Sequence, residues 1–366
     1  MPKPLAETAD LAPESDRFEQ TPHPRETYKL FGHVRAEQEL RFCLLQGRFP
    51  NAFIFGGPPG IGKATLAWRL ARFLLANPEL ALVRDSRRDD LFVPPDAPVS
   101  RLVAMLAHPD LVLLRREWDP EKKRHTTQIP VDAVRRAISL FQRAAGCGGY
   151  RICIVDSADD LNSASANALL KLVEEPPPRS LFLFAAHRPG RMIPTLRSRC
   201  RKIQLHPLGA ADIEKVLSSL GSHYSSSDGK RREAAIARAQ GSIHRALRLL
   251  GDEQISLDRS LMQLLDGLPR IDWGTAHALA ERIAAHNNGK DYEAALAATE
   301  EWLDAKIHLG ARESRGDCSG RLVRYAEVWE KLTEAAREAD IFNLDKRPLV
   351  LSLIADLASA VRAARF

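Results

Sequence analysis

The chain has 366 residues, with 53 Lys and Arg against 47 Asp and Glu and a formal net charge of +6; at that length two or three domains are expected. Hydrophobic residues make up 45% and charged residues 27%, which excludes a disordered or fibrous chain, and the basic excess is spread along the sequence, so it does not by itself point to nucleic acid. Cys43, Cys147, Cys153, Cys200 and Cys318 are odd in number and far apart, which excludes a disulfide framework and points to a reducing cytoplasm, and no run reaches the roughly 18 apolar residues of a membrane span.

Residues 1–27 are polar, lack the hydrophobic region of a signal peptide and read as a flexible tail. From about residue 28 the pattern is α/β. "AFIFG" (52–56), "LVLLR" (111–115), "RICIV" (151–155), "LFLFA" (181–185) and "KIQL" (202–205) are short apolar runs. Runs of this kind separated by helical segments predict buried parallel strands with crossover helices on both faces. "ATLAWRLARFLL" predicts the first crossover helix, and the charged, proline-containing stretch 77–108 reads as an irregular insertion. Val134, Ile138 and Phe141 mark one face of a helix over 132–143. "NSASANALLKLVEE" predicts another, capped by Asn162 and stopped by the prolines at 176–178. After 208 the strand signal ends. The segment 209–250 predicts a small helical unit with a serine-rich turn near 225, and 253–366 has helical period throughout. The expected architecture is a P-loop α/β domain over 28–207, a small helical lid over 208–252 and an all-α C-terminal domain over 253–366.

Gly57, Gly62 and Lys63 meet the spacing G-x-x-x-x-G-K after a strand and at the start of a helix, the context of a phosphate-binding loop. Its glycines let backbone amides turn inward around Pro58, Pro59, Gly60 and Ile61, the helix N-terminus favours an anion, and Lys63 would reach the outer phosphates. The next position normally gives a hydroxyl to the magnesium between those phosphates, and here it is Ala64. Thr65 lies about 100° further round the helix and does not replace that ligand; a water could, since magnesium retains waters readily. Asp156, ending "RICIVD", stands where an NTPase holds magnesium through an acidic side chain. The adjacent position, a water-orienting glutamate in hydrolysing sites, is Ser157, a loss worth about 10² to 10⁴ in rate. Asp159 and Asp160 read as helix caps. Ala64 and Ser157 together predict a site that binds nucleotide weakly or statically. In "HRPGRMIPTLRSRC", Arg199 precedes the last strand. It either reaches a neighbouring subunit's nucleotide site or stands as a solvated arginine among Arg191, Arg197 and Arg201. Cys200 reads as a small buried apolar residue.

With these stretches placed, the sequence resembles the delta-prime subunits of the bacterial DNA polymerase III clamp loader, a family within the AAA+ ATPases. The resemblance runs from about Lys29 to the C-terminus and rests on "LFGHVRAEQEL", "NAFIFGGPPGIGKATLAWRLARFLL", "HPDL", "IPVDAVR", "NALLKLVEEPPP", "TLRSRC" and, more weakly, "NLDKRPLVLSLIADLA". "NALLKLVEEPP" followed by "SRC" is more specific than the phosphate loop alone. The resemblance implies an AAA+ domain, a lid and a helical collar, with Arg199 acting in trans on the adjoining ATPase subunit. It implies a hetero-pentamer with tau/gamma and delta subunits, acting on a sliding clamp and primer-template DNA in the bacterial cytoplasm as part of the nucleoid-associated replisome, with no membrane. ATP or ADP with Mg²⁺ is the implied ligand of the loop, held weakly or statically. Active relatives carry Thr or Asn at a sensor position where this chain has Ala186 and His187, and a sensor arginine where it has His244 beside Arg245. Many relatives bind zinc through four cysteines after the phosphate-loop helix; 77–108 holds none, so no zinc is expected and His108 reads as structural. Arg135, Arg136 and Arg143 face DNA or simply form a solvated face. A self-sufficient AAA+ motor of the tau/gamma type remains the alternative, and a small P-loop kinase a more distant one. Nothing resembles a polymerase site.

Overall fold

The computed structural model describes residues 13–18, 21–46, 49–79, 90–121, 124–142, 146–220, 229–250, 252–285 and 345–364, with isolated helical positions between 292 and 331. The chain divides into two compact units, Met1–Leu247 and Arg248–Phe366.

In the first unit the apolar runs form one parallel sheet. Its strands are β1 (Ala52–Gly56), β2 (Leu111–Leu114), β5 (Arg151–Asp156), β6 (Ser180–Ala186) and β7 (Arg201–Gln204), in the order β2-β5-β6-β1-β7. Phe53 pairs with Leu183 and Ile54 with Phe184, while Cys153 sits opposite Phe182. Side chains alternate across a strand, so unbroken apolar runs feed two cores. Phe53, Phe55, Ile152, Ile154, Leu181 and Leu183 enter one core. Ile54, Cys153, Val155, Phe182 and Phe184 enter the other.

Helices α1 (Val34–Leu45) and α2 (Lys63–Ala76) close the first face through Leu40, Leu44, Leu66, Leu70 and Leu74. Helices α4 (Val131–Phe141) and α5 (Ser163–Glu174) close the second, where the Phe141 and Phe182 rings stack at 5.1 Å. Burying such a side chain contributes about 1.5–3 kcal/mol. Asn162 caps α5 as expected, its Oδ1 accepting from Ser165 N at 2.8 Å. Strand β7 forms one edge of the sheet, with Arg201, Lys202 and Gln204 exposed and Ile203 buried.

Three features depart from the sequence reading. The insertion 77–108 contains a short helix, α3 (Pro98–Ala104), with proline at its first position, where the missing N–H costs nothing. A two-stranded ribbon, β3 (Trp118–Asp119) with β4 (Arg124–His125), follows β2. Residues 13–18 and 21–27 are docked onto the domain, not free. A 3-10 turn at Pro24–Glu26 buries Arg25, which pairs with Glu14 at 2.7 Å while its carbonyl accepts from Arg72 at 2.6 Å. The polar composition that suggested a solvated tail supplies the ion pairs that hold it.

The segment 209–250 carries α7 (Ala210–Ser219), α8 (Gly229–Arg238) and α9 (Ile243–Leu250), after the short α6 (Pro194–Ser198) and β7. The serine-rich turn near 225 lies outside the described residues. The second unit contains α10 (Asp252–Asp266), α11 (Trp273–Ala285) and α12 (Lys346–Ala364), packed through Leu261, Leu265, Ala280, Ile283, Leu357 and Val361. Among the described residues of this unit, Trp273 is the large apolar side chain that stands exposed. No helix among the described residues is long and apolar enough to cross a membrane.

Candidate nucleotide site

Strand β1 ends at Gly56 and α2 begins at Lys63, so the loop between them lies at the C-terminal edge of the sheet. Gly62 turns the chain into the helix at φ +102°, a conformation that costs glycine little. The first amides of α2 therefore face the loop without a side-chain cap, the arrangement that receives a phosphate. Lys63 is buried, and its Nζ donates to Gly57 O at 2.8 Å and Pro58 O at 2.6 Å. Burial pulls the ammonium down to about 8, against the opposing pull of Asp156 and Asp159. His33 Nε2 donates to Ile61 O at 2.6 Å and braces the loop from the start of α1. Burial holds that imidazole below its ordinary range. Sequence reasoning missed this role, although "LFGHV" contains the residue. Ala64 and Thr65 occupy the first turn of α2, half-buried, and no hydroxyl stands at position 64.

Asp156 ends β5, opposite Ala185 of β6. Burial, and then the Asp16 carboxylate, push it up to about 7, against Lys63. A raised folded-state pKa stabilises below the unfolded value near 4, and that contribution is lost as pH rises through about 7. Asp156→Asn carries no such burden. Its melting temperature is expected to exceed that of the wild type by an amount that grows between about pH 4 and 7 and then stays level. A difference that is flat across that window in paired thermal scans would contradict this assignment.

Ser157 and its neighbours are arranged for structure. Ser157 Oγ donates to Asp159 Oδ2 at 2.7 Å, and the Asp159 carboxylate accepts from His187 N at 2.5 Å and Arg188 N at 2.8 Å. Burial would raise Asp159, but these hydrogen bonds to its carboxylate hold it below the usual carboxylate range. The helix-cap reading of Asp159 is thus corrected: the carboxylate ties the end of β5 to the end of β6, and Ser157 caps the 3-10 turn at Ala158–Asp160. Asp160 is pushed up to about 6 by burial and faces Arg116 at 3.4 Å.

Two histidines stand at the positions compared above with sensors. His187 follows β6 and is driven down to about 3 by burial and then by Lys63, so it is neutral at physiological pH. His244 lies in the first turn of α9, and its imidazole stacks on Phe18 with ring centroids 5.1 Å apart. Arg245 beside it is buried and donates to Gln240 Oε1 at 3.0 Å. The start of α9 is fastened to the phosphate loop: Ile243 N donates to Gly60 O at 2.8 Å and Ser242 Oγ to Pro59 O at 3.0 Å. Gly60 has φ +73°, and a Cβ there would come within 2.8 Å of His244 Cβ. No larger residue fits that approach.

Arg199 stands apart from this cluster. It ends α6 on the surface, where its guanidinium reaches Glu174 Oε1 at 2.7 Å and Thr195 O at 2.9 Å. Nearby, Arg197 donates to Gly190 O and Arg201 pairs with Glu39 at 2.9 Å. Cys200 is buried, its thiol directed at Leu196 O. Arg135 and Arg136 are exposed and pair with Asp132 at 3.1 Å and Glu117 at 2.5 Å; Arg143 lies outside the described residues. His108 is buried and accepts from Asp110 N at 3.2 Å.

The profile of the family described as "DNA polymerase III, delta subunit" matches residues 32–209. The DNA polymerase III subunit delta' of Pseudomonas aeruginosa is 30% identical over 252 residues, 68% of this chain and 68% of that one. This chain belongs to the delta-prime family. The delta' subunit of Escherichia coli K12 is 32% identical over 229 residues, 62% of this chain and 63% of that one. A gamma/tau subunit of Mycobacterium bovis is 32% identical over 198 residues, 54% of this chain and 31% of that one. The delta-prime family comprises subunits of the clamp loader, and the phosphate loop, Asp156, "NALLKLVEEPP" and "SRC" all fall within the matched 32–209.

Proposed function

We propose that this clamp loader subunit contributes Arg199 to a neighbouring ATPase subunit and has no working hydrolytic site of its own. The observation that carries this is the commitment of the groups beside Asp156. Ser157 gives its hydroxyl to Asp159, both Asp159 oxygens hold backbone amides, and Asp160 faces Arg116. No carboxylate next to Asp156 is left to orient an attacking water. The cradle of Gly57, Pro58, Pro59, Gly60, Ile61, Gly62, Lys63, Ala64 and Thr65 suits phosphates, and Asp156 suits magnesium once ionised. The metal set lacks its hydroxyl at Ala64, so ATP or ADP would be held weakly. Arg199, exposed and lightly held, fits a residue that acts across a subunit boundary.

In this reading 208–252 is a lid and 253–366 a collar that joins tau/gamma and delta subunits in a ring, which places a sliding clamp on primed DNA in the bacterial cytoplasm. Zinc has no part, since no cysteine lies in 77–108. The rival is a self-sufficient motor of the gamma/tau type. Steady-state hydrolysis by the isolated protein separates them: turnover is expected to stay at background with magnesium and ATP. Turnover that disappears in Lys63→Ala would overturn the silent-site reading.

A further inference from the structure

Residues 14–18 run across the C-terminal ends of the strands, where an open α/β sheet takes its ligand. They begin beside the residues that follow β2. Arg115 reaches Glu14 at 2.9 Å and Asp16 at 2.5 Å, and Ser15 Oγ donates to Arg116 O at 3.1 Å. The Asp16 side chain is almost fully buried, and His23 Nε2 stands 2.9 Å from its second oxygen. Two residues on, the Phe18 ring lies on His244 at an interplanar angle of 24°. His244 in turn is packed on Gly60 of the phosphate loop. The segment thus connects the β2 end of the cleft to the phosphate loop and lid helix.

We propose that residues 14–18 are the resident occupant of this nucleotide cleft, an intramolecular competitor that a nucleoside triphosphate and its magnesium must displace. The inference rests on the reading of the cleft as a nucleotide site and names what holds it. Three points on the segment carry the argument. Asp16 places a carboxylate beside Arg115, which directly follows β2 at the C-terminal edge of the sheet. Its negative charge stands where a polyphosphate would arrive, and like charges at short range repel. Phe18 covers His244, the lid residue facing the loop. Glu14 and Asp16 are held by Arg25, Arg115 and His23, so the segment is docked through both its acids and its ring.

A ligand that binds only the undocked form has its affinity reduced by the undocked fraction. A segment docked about 99% of the time therefore weakens nucleotide binding about 100-fold. The test uses the full chain and a fluorescent ATP analogue with magnesium, titrated by anisotropy. Phe18→Ala removes the ring and, independently, Asp16→Asn removes the charge. Circular dichroism and thermal scans report whether each variant is folded. The expected result is binding at least about tenfold tighter in a folded variant, a difference of about 1.4 kcal/mol, and abolished by adding Lys63→Ala. Wild-type weakness shared by folded variants would overturn the occupancy and leave the silent-site reading standing. Wild-type binding as tight as that of the variants would overturn the occupancy too, and only if hydrolysis accompanied it would the silent site fall as well. Should both substitutions unfold the chain, fluorophenylalanine labelling of the wild type decides. The Phe18 resonance is expected to move to a solvent-exposed shift at saturating nucleotide, and a resonance that stays in place while nucleotide binds overturns the proposal.

Discussion

In an assembled clamp loader, Arg199→Ala is expected to slow hydrolysis in the adjoining ATPase subunit by about 10³ or more, the range set by removing a trans-acting arginine. The geometry at rest explains why so large an effect can come from a residue so loosely held. The Arg199 and Glu174 side chains are 42% and 36% exposed, and an exposed ion pair contributes about 0–1 kcal/mol. Leaving Glu174 therefore costs little, while charge-assisted contact with a triphosphate in a dry interface returns far more. Arg199→Lys should not restore the rate, because an ammonium lacks the planar fork.

A ring with several ATPase sites would hide the loss of one in a steady-state measurement. The readout is therefore single-turnover hydrolysis with clamp and primed DNA, with assembly checked by gel filtration. Arg197→Ala, whose guanidinium is bound to Gly190 O, serves as the neighbour control. An intact complex in which Arg199→Ala hydrolyses every site's ATP at the wild-type rate would remove the trans role.

The largest loss of stability from a single polar side chain is expected at Asp159→Ala. Its removal strands the His187 and Arg188 amides and the Ser157 hydroxyl. An unsatisfied buried donor costs about 1–3 kcal/mol. Some of these donors will recruit water, so about 3 kcal/mol is expected in all, or about 6–12 °C in the melting temperature of a domain of this size. The effect has a pH signature. Asp159 is held below its unfolded pKa, so its contribution is present above about pH 4 and fades as pH falls through its folded value. Calorimetry at pH 7 and pH 3.5 should find wild type and variant far apart at the first and closer at the second. A shift under about 2 °C at pH 7 would mean that the carboxylate does not tie β5 to β6.

The sheet was legible because its strands are buried on both faces. An apolar run such as that of β6 needs no partner information to be recognised, and Ile54 and Phe55 feed different cores by simple alternation. The phosphate loop was legible for the same local reason. Contacts between residues distant in sequence were not. Asp159 looks like a cap because its backbone partners lie beyond the next helix and strand. The docking of residues 13–18 and 21–27 depends on Arg115 and Arg72, and no spacing in the N-terminal sequence announces arginines so far along the chain. The short helix α3 was obscured by Pro94, Pro95 and Pro98, the last of which starts it. Arg135 and Arg136 looked available for DNA, and each has an acidic partner at hand.

Among the described residues, strand β7 stands at one edge of the sheet, and its exposed residues are Arg201, Lys202 and Gln204. A sheet edge of this kind is a template for addition of a foreign strand, and long cationic side chains along it make such addition unfavourable. A subunit of a larger complex has surfaces uncovered until it assembles. Arg201 and Lys202 disfavour strand addition along this edge before the subunit is assembled.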